Sequence, residues 1–202
     1  MSKLIVKHYE NLWKGHFKLD RAEAVQKYSD GNEKSIKREI LRVNDSVAVL
    51  LFRHDNGNII LTSQWRAPVL ARGDDNNPVI EVCAGNIDSS DYDPLKKNPL
   101  EAAYQAAYRE VKEETGWHIN QLYHLFSLYS SPGITTEKLY FFIASVDKQN
   151  QKGGGLRQEG ENIEILEMKL TLAFEWIKEN KIVDLKTVFL LQYFGNNINL
   201  FI

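Results

Sequence analysis

The chain has 202 residues, 43% apolar and 26% charged, with a formal net charge of −2. That size suits one ordinary domain with a small appendage, and a near-neutral balance without a lysine or arginine run disfavours a nucleic-acid partner. The single cysteine, Cys83, rules out an internal disulfide and fits a reducing cytoplasm, while the absence of a secretory-length or membrane-length apolar stretch disfavours export and a membrane partner.

In chain order, LIVKHYE, HFKLDRAEAV and SIKREILRV alternate apolar and polar residues and predict two or three strands, with the turn-rich KYSDGNEK between the last two. So few strands bury no core alone. Residues 1–43 are therefore expected to form a β-rich segment that packs on the remainder, 44–202, or on a second copy. SVAVLLFRH and IILTSQW predict a hairpin turning at Asn56-Gly57, and Arg66 ends its second strand. VIEVCAG predicts one further strand, followed by the loop DSSDYDPLKKN. A helix is then marked by Asn98 as N-cap, Pro99 at its first position, Glu101 as capping-box partner and Gly116 as its stop. LYHLFSLYSS and EKLYFFIASV predict strands joined through Pro132-Gly133. After the glycine-rich loop QNQKGGGLRQEGEN comes the strand NIEILEMKL. TLAFEWIKENK and DLKTVFLLQYF repeat apolar residues every three or four positions and predict helices.

On the helix from Pro99, Glu110, Glu113 and Glu114 fall within an arc of roughly 100°. The same arc carries Ala103, Ala106 and Ala107, whereas Glu101, Gln105, Arg109 and Lys112 project to the opposite side. Like charges at this spacing repel by a few tenths of a kcal/mol, roughly, per pair. A cluster of that kind off the polar face suggests a cation between the carboxylates, and all-oxygen ligation suits Mg²⁺ or Mn²⁺. The other reading of the same residues is a solvated helical face with an Arg109–Glu113 pair.

Arg109, Glu110, Val111, Glu113, Glu114, Gly116 and Trp117, with Glu101 ahead of them, resemble the Nudix hydrolase box, Arg-Glu-apolar-x-Glu-Glu-x-Gly-apolar. The family's glycine normally precedes the first glutamate by six residues, where this chain has Leu95. Gly85 stands in its place, so residues 88–98 read as an insertion, which loops tolerate at small entropic cost. From about residue 40 onward, SPG with Thr136-Glu137, GGG, ENIEILEM and KTVFLLQYF resemble the branch of the family acting on GDP-mannose. Pro132, sixteen residues beyond Gly116, resembles the branch acting on ADP-ribose.

The resemblance implies an α/β/α sandwich with a mixed sheet. It implies metal-dependent hydrolysis of the pyrophosphate bond of a nucleoside diphosphate sugar. GDP-mannose would give GMP and mannose 1-phosphate, and ADP-ribose is the alternative substrate. A nucleotide-sugar-binding regulator without catalysis is the alternative of another class, against which the intact glutamate triplet argues. Glu110, Glu113, Glu114 and the Ala84 carbonyl would be metal ligands, and Arg109 would fix the carboxylates. The Gly153–Gly155 run reads either as a passive linker or as part of a mobile lid. Glu161 would be the lid glutamate that orients or deprotonates the attacking water, with Glu159 and Glu164 as rivals. Arg66, Arg38, Glu39, Pro132 and Glu137 would serve the substrate. The N-terminal strands would build a homodimer.

Overall fold

The computed structural model describes residues 1–73, 77–95 and 98–201, with only the backbone of Glu159. The chain divides into two compact units, residues 1–45 with 128–139 and residues 46–127 with 140–202.

The first unit carries β1 (Lys3–Lys14), β2 (Lys18–Lys27) and β3 (Glu33–Arg42), an antiparallel sheet in that order. The predicted turn between the last two is closed by Gly31, at φ 90°, and by Asp30, whose carboxylate accepts from the Asn32 amide at 3.0 Å. Residues 128–139 are stitched to the end of β3. The Leu41 amide donates to the Ile134 carbonyl at 2.9 Å, and the Thr136 hydroxyl bonds both the amide and the carbonyl of Val43. Asp45 accepts from the Lys138 amide at 3.0 Å.

The second unit is organised by β4 (Ser46–Arg53), β5 (Ile59–Gln64), β6 (Val79–Glu81), β7 (Cys83–Asn86), β8 (Trp117–Tyr129), β9 (Lys138–Gln149) and β10 (Glu164–Met168). The outer ends of β8 and β9 belong to the first unit. The strands run in the order β10-β5-β4-β9-β8, with β6 on β5 and β7 on β4. The helices are α1 (Ala67–Arg72), α2 (Pro99–Glu110), α3 (Leu170–Lys178) and α4 (Leu185–Asn196).

Strand alternation explains the layers. Val47, Val49 and Leu51 of β4, with Phe142, Ala144 and Val146 of β9, pack against Ala102, Ala103, Ala106 and Ala107 of α2. Alanines on that stripe bring the helix close to the sheet. Residues of the opposite parity face α4: Phe52 meets Phe194 at 5.1 Å between ring centroids, and Phe141 meets Phe189 at 5.0 Å. Each large apolar side chain buried this way contributes roughly 1.5–3 kcal/mol. Helices therefore cover both faces, and the implied α/β/α sandwich is the observed fold.

The β4–β5 hairpin forms as predicted, with Gly57 at φ 69° and the Arg53 amide donating to the Asn58 carbonyl at 2.7 Å. VIEVCAG does not form one strand. β6 pairs with β5 and β7 with β4, and between them the Val82 amide donates to Thr187 Oγ1 of α4 at 2.8 Å. Among the described residues, no helix is long and apolar enough to cross a membrane.

Candidate active site

α2 starts where the sequence predicts, but its cap is one-sided. The Asn98 side chain accepts from the Leu100 amide at 3.1 Å, without the reciprocal bond expected from Glu101. Over Val111–Thr115 the helix widens to a π turn, then stops at Gly116, φ 70°, whose amide returns to the Lys112 carbonyl at 3.1 Å. Such widened turns frequently mark functional sites. Here the widening shifts Glu113 and Glu114 from the angular positions of a regular α-helix.

The last carbonyls of a helix need donors from elsewhere, and residues 149–155 supply them. Gly155 N donates to Glu113 O at 3.2 Å and Gly154 N to Glu114 O at 2.8 Å. The Gln149 side chain reaches Thr115 O at 3.0 Å, and that of Gln151 reaches Lys112 O at 3.1 Å. A Cβ on Gly153 would stand 2.5 Å from Glu114 O and 2.6 Å from Thr115 Cα. The glycine run is therefore not a passive linker. It is the C-terminal cap of the glutamate-bearing helix, and only glycine permits that approach.

Glu114 is 2% exposed, and its Oε2 accepts from the Ala84 amide at 3.2 Å. Burial pushes its pKa up to about 8, opposed by the Cys83 thiol and reinforced by the charges of Glu110 and Glu161. Burial likewise raises Glu110 to about 7 against the pull of Arg109, with Glu113 and Glu161 adding to the rise. A Cβ on Gly85 would overlap the Glu110 carboxylate. The glycine displaced in sequence by the insertion thus lies in space against the first glutamate, and its missing side chain is what admits the carboxylate.

Arg109 does not project to the solvated side. Its Nε and one terminal nitrogen bind the two Asp91 oxygens at 3.1 and 2.9 Å, and the same terminal nitrogen donates to the Asn86 carbonyl at 2.9 Å. The other terminal nitrogen lies between Glu110, at 2.7 Å, and Glu113, at 3.3 Å. The Glu113 contact expected from sequence exists, but it is the longest of these bonds. Asp91 closes a short 3₁₀ turn over Ser89–Asp91, and its carboxylate also accepts from the Asp88 amide at 2.8 Å. Burial pushes the pKa of Asp91 up, but Arg109 and the Asp88 amide outweigh it and hold the carboxyl below its usual range.

Glu161 Oε2 accepts from the Leu156 amide at 2.8 Å, and its charge acts on both Glu110 and Glu114. Glu164 is exposed on β10, and the Glu159 side chain lies outside the described residues. Arg66, at the N-cap of α1, donates from Nε to Glu81 at 2.7 Å. Glu81 is 4% exposed, and its other oxygen takes Lys186 Nζ at 2.5 Å. Lys186 also meets Asp184 at 2.9 Å, and Asp184 caps α4 through the Thr187 amide at 2.9 Å. Sequence reasoning missed Asp91, Glu81, Lys186 and Asp184. The legible signal was Glu81, a lone charge inside the apolar run VIEVCAG.

Arg66, Ala84, Arg109, Glu110, Glu113, Glu114 and Glu161 all belong to the second unit. Arg38, Glu39, Pro132 and Glu137 belong to the first. There, Arg38 donates to the Lys37 carbonyl at 2.9 Å and Glu39 lies 3.9 Å from Arg21. Pro132 sits in a turn where the Ile134 amide returns to the Ser131 carbonyl at 3.0 Å, and the Glu137 carbonyl accepts from the Ser130 amide at 3.3 Å.

Among the described residues, no three acidic, histidine or cysteine side chains converge closely enough to grip a metal as they stand. The chemistry of the donors nevertheless fits a hard divalent cation. Half-buried Glu110 and buried Glu114 are oxygen donors, and the charge of Glu110 raises the pKa of Glu114, a conflict that a cation relieves.

The family model described as NUDIX domain matches residues 43–189. A GDP-mannose pyrophosphatase of Pectobacterium atrosepticum is 34% identical over 193 residues, 95% of this chain and 90% of that protein. One of Citrobacter koseri is 34% identical over 157 residues, 78% of this chain and 76% of that protein. A crystal structure of an ADP compounds hydrolase superposes with a TM-score of 0.68 at 18% identity, covering 96% of this chain and 95% of the other. That likeness bears on the fold.

Proposed function

The chain belongs to the NUDIX family of hydrolases, and from that membership we propose that it cleaves the pyrophosphate bond of a nucleoside diphosphate sugar with Mg²⁺ or Mn²⁺. The preferred reaction is GDP-mannose to GMP and mannose 1-phosphate. The observation that carries the chemistry is the pair of half-buried Glu110, set against the side-chain-free Gly85, and buried Glu114, set against the Ala84 amide. The names of the relatives support the sugar nucleotide. The position of Pro132 favours ADP-ribose as the second reading.

Glu110, Glu113, Glu114 and the Ala84 carbonyl would hold the cation, which when bound neutralises diphosphate charge and makes water a better nucleophile. Arg109 orients Glu110 and Glu113. Arg66, its Nε fixed by Glu81, offers a planar cation to phosphate oxygens. Glu161 orients or deprotonates the attacking water, and Arg38, Glu39, Pro132 and Glu137 serve the nucleotide sugar. Glu161→Gln should slow turnover by about a hundredfold with little change in KM. Unchanged kcat would remove it from this role.

Hydrolysis of a panel of nucleoside diphosphate sugars with Mg²⁺, each repeated with EDTA, tests the whole reading. Metal-dependent release of GMP from GDP-mannose, faster than AMP from ADP-ribose, is the expected result. The reverse order would change the substrate and keep the chemistry, whereas binding without any turnover would leave a regulator. A homodimer is part of the same proposal. Leu4, Tyr9, Trp13, Tyr129 and Ile134 of the first unit expose large apolar surface, which commonly marks an interface. Light scattering should give twice the chain mass, and a stable species of 23.3 kDa would refute the dimer.

A further inference from the structure

We propose that Asp91 is a positioning residue for cation binding, contributed by the segment that lengthens the path from Gly85 to α2. It holds the far edge of Arg109 and takes up its charge, so that Arg109 orients Glu110 and Glu113 without neutralising them. This rests on the reading of those glutamates as cation ligands.

The geometry is that of a fork gripped from behind. Both Asp91 oxygens bind Arg109, at 3.1 and 2.9 Å, while the Asn86 carbonyl takes the same edge at 2.9 Å. Bidentate pairs of this kind fix a guanidinium plane in direction as well as position. Asp91 cannot swing away, because it is 7% exposed and one of its oxygens also accepts from the Asp88 amide at 2.8 Å. Only one terminal nitrogen is left to lie between Glu110 and Glu113.

Charge counting gives the functional consequence. With Asp91 ionised, Arg109 is matched before it reaches the ligands, and less of its positive charge competes with a cation for Glu110 and Glu113. Without that charge, only the Asn86 carbonyl at 2.9 Å and the exposed Asp88 carboxylate at 3.6 Å remain at the far edge of Arg109, and more of its positive charge falls on Glu110 and Glu113, in competition with the metal. Residues that orient metal ligands from behind typically change affinity by about ten- to a hundredfold. A loop that merely covered the protein surface would need no buried carboxylate, and a purely structural tether would affect unfolding without affecting the cation.

The test is Mn²⁺ binding, read by electron paramagnetic resonance, on the full chain and on Asp91→Asn, Asp91→Glu, Arg109→Gln and the Asp91→Asn/Arg109→Gln double variant. Thermal unfolding and the Mg²⁺ dependence of hydrolysis are measured alongside. Asp91→Asn should bind Mn²⁺ about tenfold more weakly and need correspondingly more Mg²⁺ for half-maximal rate, while kcat at saturating Mg²⁺ stays near the parent value. Asp91→Glu should recover most of the affinity. In the Arg109→Gln background, Asp91→Asn should cause no further loss. Parent-like Mn²⁺ affinity in Asp91→Asn, whatever its melting temperature, would overturn the proposal and leave the ligand reading intact. A parent protein that binds no Mn²⁺ would overturn both.

Discussion

Glu114→Gln is expected to reduce pyrophosphate hydrolysis by about a thousandfold, since several kcal/mol of transition-state charge stabilisation go with the cation. The fold should survive. Gln has the same shape, and its carbonyl oxygen can still accept from the Ala84 amide that Glu114 Oε2 binds at 3.2 Å. The substitution should also leave a signature in the metal-free protein. Burial holds Glu114 at a pKa of about 8, above its ordinary value of 4.5, so the folded state keeps a proton that the unfolded chain has released. Between those two values the folded state therefore binds more protons, and stability falls as pH rises. The loss is absent below about pH 4.5 and complete above about pH 8. Gln carries no such cost. Without metal, the melting temperature of Glu114→Gln should exceed that of the parent at pH 8.5, and the gap should close towards pH 5. Near-normal activity at saturating Mg²⁺ would exclude Glu114 as a ligand. A gap independent of pH would mean that its carboxyl is not held protonated by burial.

Gly116→Ala should carry the largest stability penalty of any single methyl group added to this site. Gly116 ends the helix at φ 70°, which costs an L-residue roughly 1–2 kcal/mol. Its Cβ would stand 2.9 Å from both the Gln151 carbonyl carbon and the Gly153 amide nitrogen, and would overlap the Gln151 oxygen. These are backbone atoms, so no rotamer change relieves them, and forced overpacking adds about 1–3 kcal/mol. Chemical denaturation should show a loss of about 2–5 kcal/mol, with reduced activity as the segment 149–155 is pushed off the end of the helix. A loss within about 0.5 kcal/mol, the range of an inert surface change, would show that the segment yields freely and is no fixed cap.

The limits of α2, the turn at Asn56-Gly57 and the strands on either side of Pro132-Gly133 were legible because they rest on local rules: a proline that starts a helix, glycines that stop or reverse the chain, and period-two alternation. The glutamates were legible because their spacing is a property of one helix. What escaped depends on partners distant in sequence. VIEVCAG is uniformly β-forming, so nothing in it tells that Val82 is handed to Thr187 while the strand moves from β5 to β4. The helical wheel placed Arg109 on the solvated side because it knows only where Cβ points. A long side chain follows its counter-charge, and Asp91 was hidden in a loop whose mixed charges decided nothing by themselves. The glycine run did not read as a helix cap because flexibility in the unfolded chain and close packing in the folded one ask for the same residue. The reciprocal bond expected of Glu101 did not form, although Asn98 caps the helix without it.

The capping of α2 by residues 149–155 bears on how this protein can be altered. The helix that carries the glutamates is not a transplantable cassette: cut out with its own flanks, it would leave behind every donor to the carbonyls of Lys112, Glu113, Glu114 and Thr115 that Gln151, Gly155, Gly154 and Gln149 supply. Lengthening or shortening the chain between Gln149 and Gly155 would shift those donors out of register with the helix end. The stretch after Leu156, which leads to Glu161, carries none of them. Variation belongs there, as substitutions that keep the Leu156–Glu161 bond, and a search for altered sugar preference has room to work in that stretch without disturbing the seat of Glu110, Glu113 and Glu114.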